Sequence, residues 1–248
     1  MPLRYASHLP AEEVCNELNL KGTFMRILVL GQGKTGKLVA EVASEHGHSV
    51  HVLDAKENPG AAALTFPFVT GFDVVIDFTT PEATVQNMRA CLATGAKMVI
   101  GTTGWYDKLA DMRGLTERKG GALLYGTNFS VGMQVMHQLA RQMGTALKDA
   151  GYTFKIEETH HASKLDSPSG SSITLGQATG IPNIPITSSR EGDETGLHLL
   201  IATSDADRLT LKHESFSRRA FAEGAVRAAE WVATRTGCYD FQHVFTQL

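Results

Sequence analysis

The sequence predicts an α/β protein with a smaller α+β part behind it. Three observations carry this. Residues 26–30 (Arg-Ile-Leu-Val-Leu) read as a buried parallel strand and run straight into Gly31-Gln32-Gly33-Lys34-Thr35-Gly36, where a helix opens. Short apolar strands then alternate with helical stretches up to about residue 130, the pattern of successive βαβ units. Beyond residue 183 strands follow one another directly, which is α+β in character. Together these predict a Rossmann-like dinucleotide-binding domain with a smaller α+β substrate-binding domain.

The chain has 248 residues, enough for one large domain or two small ones. Its formal net charge of −3 gives no hint of nucleic acid or an anionic membrane surface as partner. Three scattered cysteines form no disulfide or zinc spacing and fit a reducing cytosol, so a cytoplasmic location is expected. No apolar run reaches the length of a membrane span. Residues 1–24 read as an extension without a signal peptide's apolar core.

Gly-x-Gly-x-x-Gly between a strand and a helix fits a dinucleotide pyrophosphate seated on the helix N-terminus. The helix carries Leu38, Val39, Val42 and Ala43 on one face. A second strand, residues 49–53, ends at Asp54, whose carboxylate suits the adenosine ribose hydroxyls. Lys34 and Lys56 could pair with a 2′-phosphate, which Asp54 would repel, so NADH and NADPH both stay open. Solvated lysines are the plain alternative. Residues 55–72 form a Pro/Gly-bearing connection with little room for a full βα unit. A strand over 73–78 leads to Thr79-Thr80-Pro81-Glu82, which opens a helix with Val85, Met88 and Leu92 inside. Residues 97–100 form a strand ending in Gly101-Thr102-Thr103-Gly104. A helix over 106–119 and a strand over 122–125 follow, and then Gly126-Thr127-Asn128-Phe129-Ser130. Small residues at the carboxyl ends of strands are where an open α/β sheet binds ligand.

A helix is expected over 131–149, with Val131, Val135, Leu139, Met143 and Leu147 read as its core stripe and His137, off that stripe, as structural or exposed. A strand over 152–159 then enters the loop from Glu157 to Ser171. His160 and His161 can exchange protons near neutral pH, and Lys164 supplies positive charge. The Ser169-Gly170-Ser171 turn offers N–H groups and hydroxyls to an anion at a helix N-terminus. A small acidic substrate that must be protonated would suit this loop. Paired loop histidines are more often merely solvated, and Asp-Ser-Pro-Ser-Gly is an ordinary turn sequence. A metal is not expected: no Cys lies nearby, there is no His-Glu-x-x-His spacing, and adjacent residues at a strand end point to opposite sides. A short helix over 172–178 and strands over 183–189, 196–203 and 208–215 come next. The pattern turns helical again from Arg218, with Phe221, Ala225, Ala228 and Val232 on one face.

The loop closely resembles the signature of the dihydrodipicolinate reductase (4-hydroxy-tetrahydrodipicolinate reductase) family, Glu-x-His-His-x-x-Lys-x-Asp-x-Pro-Ser-Gly-Thr. Glu158, His160, His161, Lys164, Asp166, Pro168, Ser169 and Gly170 match, and Ser171 keeps the hydroxyl of the final Thr. Stretches at Asp77 to Glu82, Gly101 to Gly104 and Asn128 to Gly132 match the family in order, as do Ser217, Arg218, Phe221, Ala222 and Gly224 to Val226. The resemblance runs from Met25 nearly to the C-terminus.

It implies reduction of 4-hydroxy-tetrahydrodipicolinate by NADH or NADPH, without a metal, on the diaminopimelate–lysine route. His160 would be the general acid, and Lys164 would stabilise charge at the ring nitrogen. His161, Ser169, Gly170 and Ser171 would grip carboxylates. Gly101, Thr102, Thr103, Gly126, Thr127, Asn128 and Phe129 would line the nicotinamide end, and the Gly31 to Gly36 loop with Asp54 the other. It also implies a dinucleotide-binding domain over 25–130, a substrate-binding and oligomerisation domain over 131–216, and a segment over 217–248 returning to the first. Hinges would fall near 130 and 217. The chain departs from the family in its Gly-x-Gly-x-x-Gly, one residue shorter than the usual Gly-x-x-Gly-x-x-Gly, and is shorter over 55–72 and after Gly192. In the family the latter segment helps build a tetramer. The expectation here is a homo-oligomer through residues 183–215, a tetramer slightly favoured over a dimer. Leu199, Ile201, Leu209 and Leu211 would lie on the exposed sheet face. Another Rossmann-fold oxidoreductase acting on an amino or imino acid, and a non-catalytic NADPH-sensing protein, are the alternative readings.

Overall fold

The computed structural model describes residues 24–162, 166–192 and 194–248. Residues 1–23 of the expected extension lie outside these, as do Lys164 and Asp193.

Strands β1 (Arg26–Leu30), β2 (Ser49–Leu53), β3 (Val74–Asp77), β4 (Lys97–Ile100) and β5 (Ala122–Tyr125) join β10 (Gly237–Asp240) in one parallel sheet, ordered β10-β5-β4-β3-β1-β2. Their side chains alternate between two covered faces, which is why the strands read as continuous apolar runs. Ile27, Val29, Ile76 and Val99 meet α1 (Lys34–Glu45) and α7 (Arg219–Val232). Leu28, Leu30, Val75 and Met98 meet α3 (Pro81–Ala93) and α4 (Leu109–Lys119). The connection between β2 and β3 holds only a turn of 3₁₀ helix, Pro59–Ala61, and the single-turn α2 (Phe66–Val69).

The second sheet contains β6 (Thr153–His160), β7 (Ile186–Arg190), β8 (Leu197–Thr203) and β9 (Arg208–Glu214) in the order β7-β6-β8-β9. β6 and β7 are parallel; the other pairs are antiparallel. The expected strand over 183–189 starts three residues later, because Pro182 and Pro185 bracket a left-handed Asn183 and delay ladder pairing. Helices α5 (Val131–Leu147) and α6 (Gly170–Ala178) cover one face of this sheet around Met133, Met136, Ile156, Leu175 and Leu200.

Two readings of the sequence are corrected here. Of the α5 stripe only Met143 is buried, whereas Val131, Val135 and Leu139 are 38%, 42% and 43% exposed. The helix carries a second apolar row, Met133, Met136, Ala140 and Met143, and that row faces the sheet together with fully buried His137. With apolar side chains on both rows, spacing could not choose between them. The sheet register also separates the four leucine and isoleucine side chains. Leu211 pairs with Leu200 and Leu209 with Ala202, on the side that the helices cover, while Leu199 and Ile201 point to the other face; Leu209 is nevertheless exposed, as expected, and Ile201 is buried. Among the described residues no helix is long and apolar enough to cross a membrane.

Helix α7 reaches the first sheet through a backbone contact. A Cβ on Gly224 would stand 1.8 Å from the Phe129 carbonyl oxygen. A methyl there forces helix and loop apart, which costs about 1–3 kcal/mol as overpacking. Gly224→Ala is therefore expected to lower the unfolding free energy by that amount in urea titration; an unchanged midpoint would show that the contact yields freely.

Candidate active site

Two clefts open at the carboxyl ends of the parallel strands, and Phe78 lines both. The first, about 360 Å³, is bounded by Gly31, Gln32, Gly33, Asp54, Thr79 and Asn87, among others. The glycine pattern there has a packing cause. Gly31 adopts φ +102°, and a Cβ on it would lie 2.3 Å from the Phe78 carbonyl oxygen; one on Gly36 would lie 2.1 Å from the Gly31 carbonyl oxygen. Gly33, the N-cap of α1, has nothing within 4 Å of its Cβ position. That space lies at a helix N-terminus whose first N–H groups lack intrahelical acceptors, so it fits a dinucleotide pyrophosphate. Asp54 is held at the cleft wall because its Oδ1 accepts the backbone N–H groups of Lys56 at 2.8 Å and Glu57 at 2.9 Å. Lys34 and Lys56 are exposed and line neither cleft.

Asp77 fixes the floor between the clefts. Its Oδ1 accepts from Thr79 Oγ1 at 2.7 Å and Thr102 Oγ1 at 2.9 Å, and its Oδ2 accepts from Asn87 Nδ2 at 2.8 Å. Thr102 is thus buried as a strut, and Thr103 is exposed and lines neither cleft. Gly126 also stands behind the wall, where a Cβ would meet Phe241 Cβ at 2.9 Å.

The second cleft, about 210 Å³, lies between the two sheets. Thr35, Phe78, Gly101, Thr127, Asn128 and Phe129 form one side, while His160, His161, Ser171, Gly196, His198 and Arg218 form the other. Adjacency in a strand predicted opposite directions for His160 and His161, yet both line this cleft. β6 ends at His160, so alternation stops there.

Glu158, whose side chain is fully buried, organises the second side. Its carboxylate accepts the backbone N–H of Ser169 at 3.0 Å, the Ser172 hydroxyl at 2.6 Å and an Arg190 N–H at 3.3 Å. Its Oε2 lies 3.5 Å from His160 Nε2, within ion-pair range. Burial alone would raise this carboxyl, but the His160, Ser169 and Ser172 donors outweigh it and hold it well below the usual carboxylate range. Ser169 is consequently occupied: its N–H goes to Glu158 and its Oγ caps α6 through the Ser172 N–H at 3.1 Å. The sequence reading of Ser169 as a ligand grip gives way to Gly170 and Ser171, in the first turn of α6, where N–H groups have no intrahelical acceptor. Asn128 Nδ2 donates to Ser171 Oγ at 3.0 Å, tying the two sides of the cleft together.

Arg218, at the N-cap of α7, donates from Nη2 to His161 Nε2 at 3.1 Å. Arg218, His198 and the role of Glu158 went unread in the sequence. Arg218 had a signal in the matched Ser217-Arg218 pair; His198 had only its place on an alternating strand. Burial pushes the His198 imidazole down to about 3, with the nearby His160 adding to the effect, and burial pushes His137 down to about 4.

Residues 25–129 match the profile of the dihydrodipicolinate reductase N-terminus, and residues 132–245 that of its C-terminus. The chain belongs to the dihydrodipicolinate reductase family. Among its relatives, the 4-hydroxy-tetrahydrodipicolinate reductase of Christiangramia forsetii is 33% identical over 90% of this chain and 99% of its own. That of Natronomonas pharaonis is 36% identical over 88% and 99%. A solved dipicolinate-bound dihydrodipicolinate reductase from Paenisporosarcina sp. TG-14 superposes with TM-score 0.68 at 23% identity, covering 90% of this chain and 100% of that one, and so has the same fold. Membership of this reductase family implies a nicotinamide cofactor, and the Gly33 cradle fits one.

The buried histidines give stability a pH dependence. Their folded affinity for protons is depressed, so the unfolded chain binds more protons below about 6.5, and stability is lost as pH falls from there toward 4. Each such group contributes up to about 1.4 kcal/mol per pH unit. His137→Leu should flatten the fall in unfolding free energy between about pH 6.5 and 4.5 by roughly one group's share; an identical slope in both proteins would contradict a neutral buried His137.

Proposed function

We propose that this chain reduces 4-hydroxy-tetrahydrodipicolinate to tetrahydrodipicolinate, with the second cleft as its substrate site. The observation that supports this most strongly is the Glu158–His160 pair set beside the open first turn of α6 and facing Gly101 and Phe129. The substrate is a cyclic imine with two carboxylates that loses water from its ring, gains a hydride and then needs a proton on carbon. A bound reduced nicotinamide supplies the hydride. The chain supplies the proton and the grip.

His160 is the proton donor. Glu158 stands on the buried Nε2 side of its imidazole, and the Nδ1–Cε1 edge faces Gly196 on the cleft wall. A carboxylate behind the ring fixes its orientation, as in a His–Asp pair. The N–H groups of Gly170 and Ser171 hold one carboxylate at the positive end of α6. Arg218, already on His161, holds the other. Lys164, from the sequence pattern, neutralises charge at the ring nitrogen. Asp54 accepts the ribose hydroxyls, so NADH serves at least as well as NADPH. The enzyme works without a metal in the cytoplasm. It assembles as a homo-oligomer, tetramer before dimer, through residues 183–215, where Leu209 is exposed.

The test is a coupled assay in which pyruvate and aspartate semialdehyde generate the substrate in situ while NADH and NADPH loss are followed separately. Native enzyme should consume both cofactors. His160→Gln should lower kcat on the order of 10²–10⁴-fold, the usual share of general acid catalysis, with cofactor affinity unchanged. Near-normal turnover of the variant would remove His160 from this role, and absence of turnover in the native chain would overturn the reading.

A further inference from the structure

We propose that His46, His48 and Glu230 form a binding site for one divalent transition-metal ion of the zinc class, at the end of the first sheet opposite both clefts. His46 caps the C-terminus of α1, Gly47 turns the chain with φ +86°, and His48 returns directly before β2. The His48 N–H donates to the Ala43 carbonyl at 3.0 Å, which fixes the turn. Glu230 projects from the last turn of α7 and places one oxygen between the two rings. Its Oε1 lies 2.9 Å from His46 Nδ1 and 3.0 Å from His48 Nε2.

These distances match metal ligation. Donors at about 2.0–2.2 Å from a tetrahedral zinc ion are separated by roughly 3.3 Å. The three donor atoms here all lie within 4.8 Å of one another, so an ion needs only to widen the two His–Glu separations by a few tenths of an ångström and to hold the two imidazole nitrogens together. The surroundings supply the usual outer support. Glu223 Oε2 lies 3.3 Å from His46 Nε2 and can accept its N–H, so that an ion could take the place of the proton that Nδ1 shares with Glu230. Arg219 holds the other Glu223 oxygen at 2.8 Å. His48 is nearly buried and cannot swing away. Two imidazoles and one carboxylate favour zinc, cobalt, nickel or copper over the oxygen-seeking magnesium and calcium. An ion here would bolt the C-terminal end of the phosphate-loop helix α1 to α7. Its role is therefore to brace the nucleotide-binding half rather than to take part in the chemistry.

A second cluster, Glu158, His160 and His198, also brings ligand-type atoms within 4.8 Å of one another, but it belongs to the active cleft, and the experiment must separate the two. The full chain, free of any affinity tag and stripped with chelator, is titrated with zinc chloride in a calorimeter and, in parallel, with cobalt chloride followed by visible absorbance. One saturable equivalent is expected, with a tetrahedral-type cobalt spectrum and a raised melting temperature. His46→Gln and Glu230→Gln, checked for native circular dichroism, should each weaken binding on the order of 100-fold while metal-free turnover stays native. His160→Gln should bind zinc as the native chain does. Absence of stoichiometric binding would overturn the proposal. So would undiminished binding in His46→Gln and Glu230→Gln, or loss of binding confined to His160→Gln.

Discussion

A buried carboxylate costs several kcal/mol unless donors surround it, and the second half of this protein is arranged around meeting that demand for Glu158. The donors come from separate elements. Ser169 and Ser172 belong to the start of α6, Arg190 to the end of β7, and His160 to the end of β6. Arg190 also donates to the Asp166 carbonyl at 2.5 Å, so the same cluster holds the loop that precedes α6. Satisfying one charge thus places His160 and the first turn of α6 side by side. Neither position is set by its own element.

The first half depends on close backbone approach instead. Gly31 lets the loop after β1 rest on the Phe78 carbonyl, Gly36 lets α1 rest on the Gly31 carbonyl, and Gly224 lets α7 rest on the Phe129 carbonyl. Asp77 then links the ends of β3 and β4 through Thr79 and Thr102. The two clefts meet at Phe78 because these strand ends are locked at one level. Asn128, bonded to Ser171, joins the two halves across the cleft.

What could be read from the sequence follows from how local each signal is. β1, β2, β4 and β5 were expected over the ranges in which they occur, because each is a short apolar run bounded by glycine or polar turns. The Gly31–Gly36 loop and the histidine loop were legible as contiguous motifs. Contacts between distant residues were not. Arg218 meets His161 across 57 positions, and Glu230 meets His48 across 182. The orientation of α5 was misread because both of its rows are apolar, and Ser169 because its N–H is spent on a carboxylate eleven residues earlier and its hydroxyl on Ser172. Thr102 looked like a cofactor contact and is a strut, since the sequence does not say which way a threonine at a strand end turns.

The central claim, that the Glu158 charge positions both His160 and the α6 turn, is tested most directly by Glu158→Gln. The measurement is turnover together with binding of a planar cyclic dicarboxylate such as pyridine-2,6-dicarboxylate, with cofactor affinity followed in parallel by nicotinamide fluorescence. The account predicts that turnover falls on the order of 10²–10⁴-fold and dicarboxylate binding weakens with it, while cofactor affinity and circular dichroism remain native. Native turnover and native dicarboxylate binding in the folded variant would contradict it.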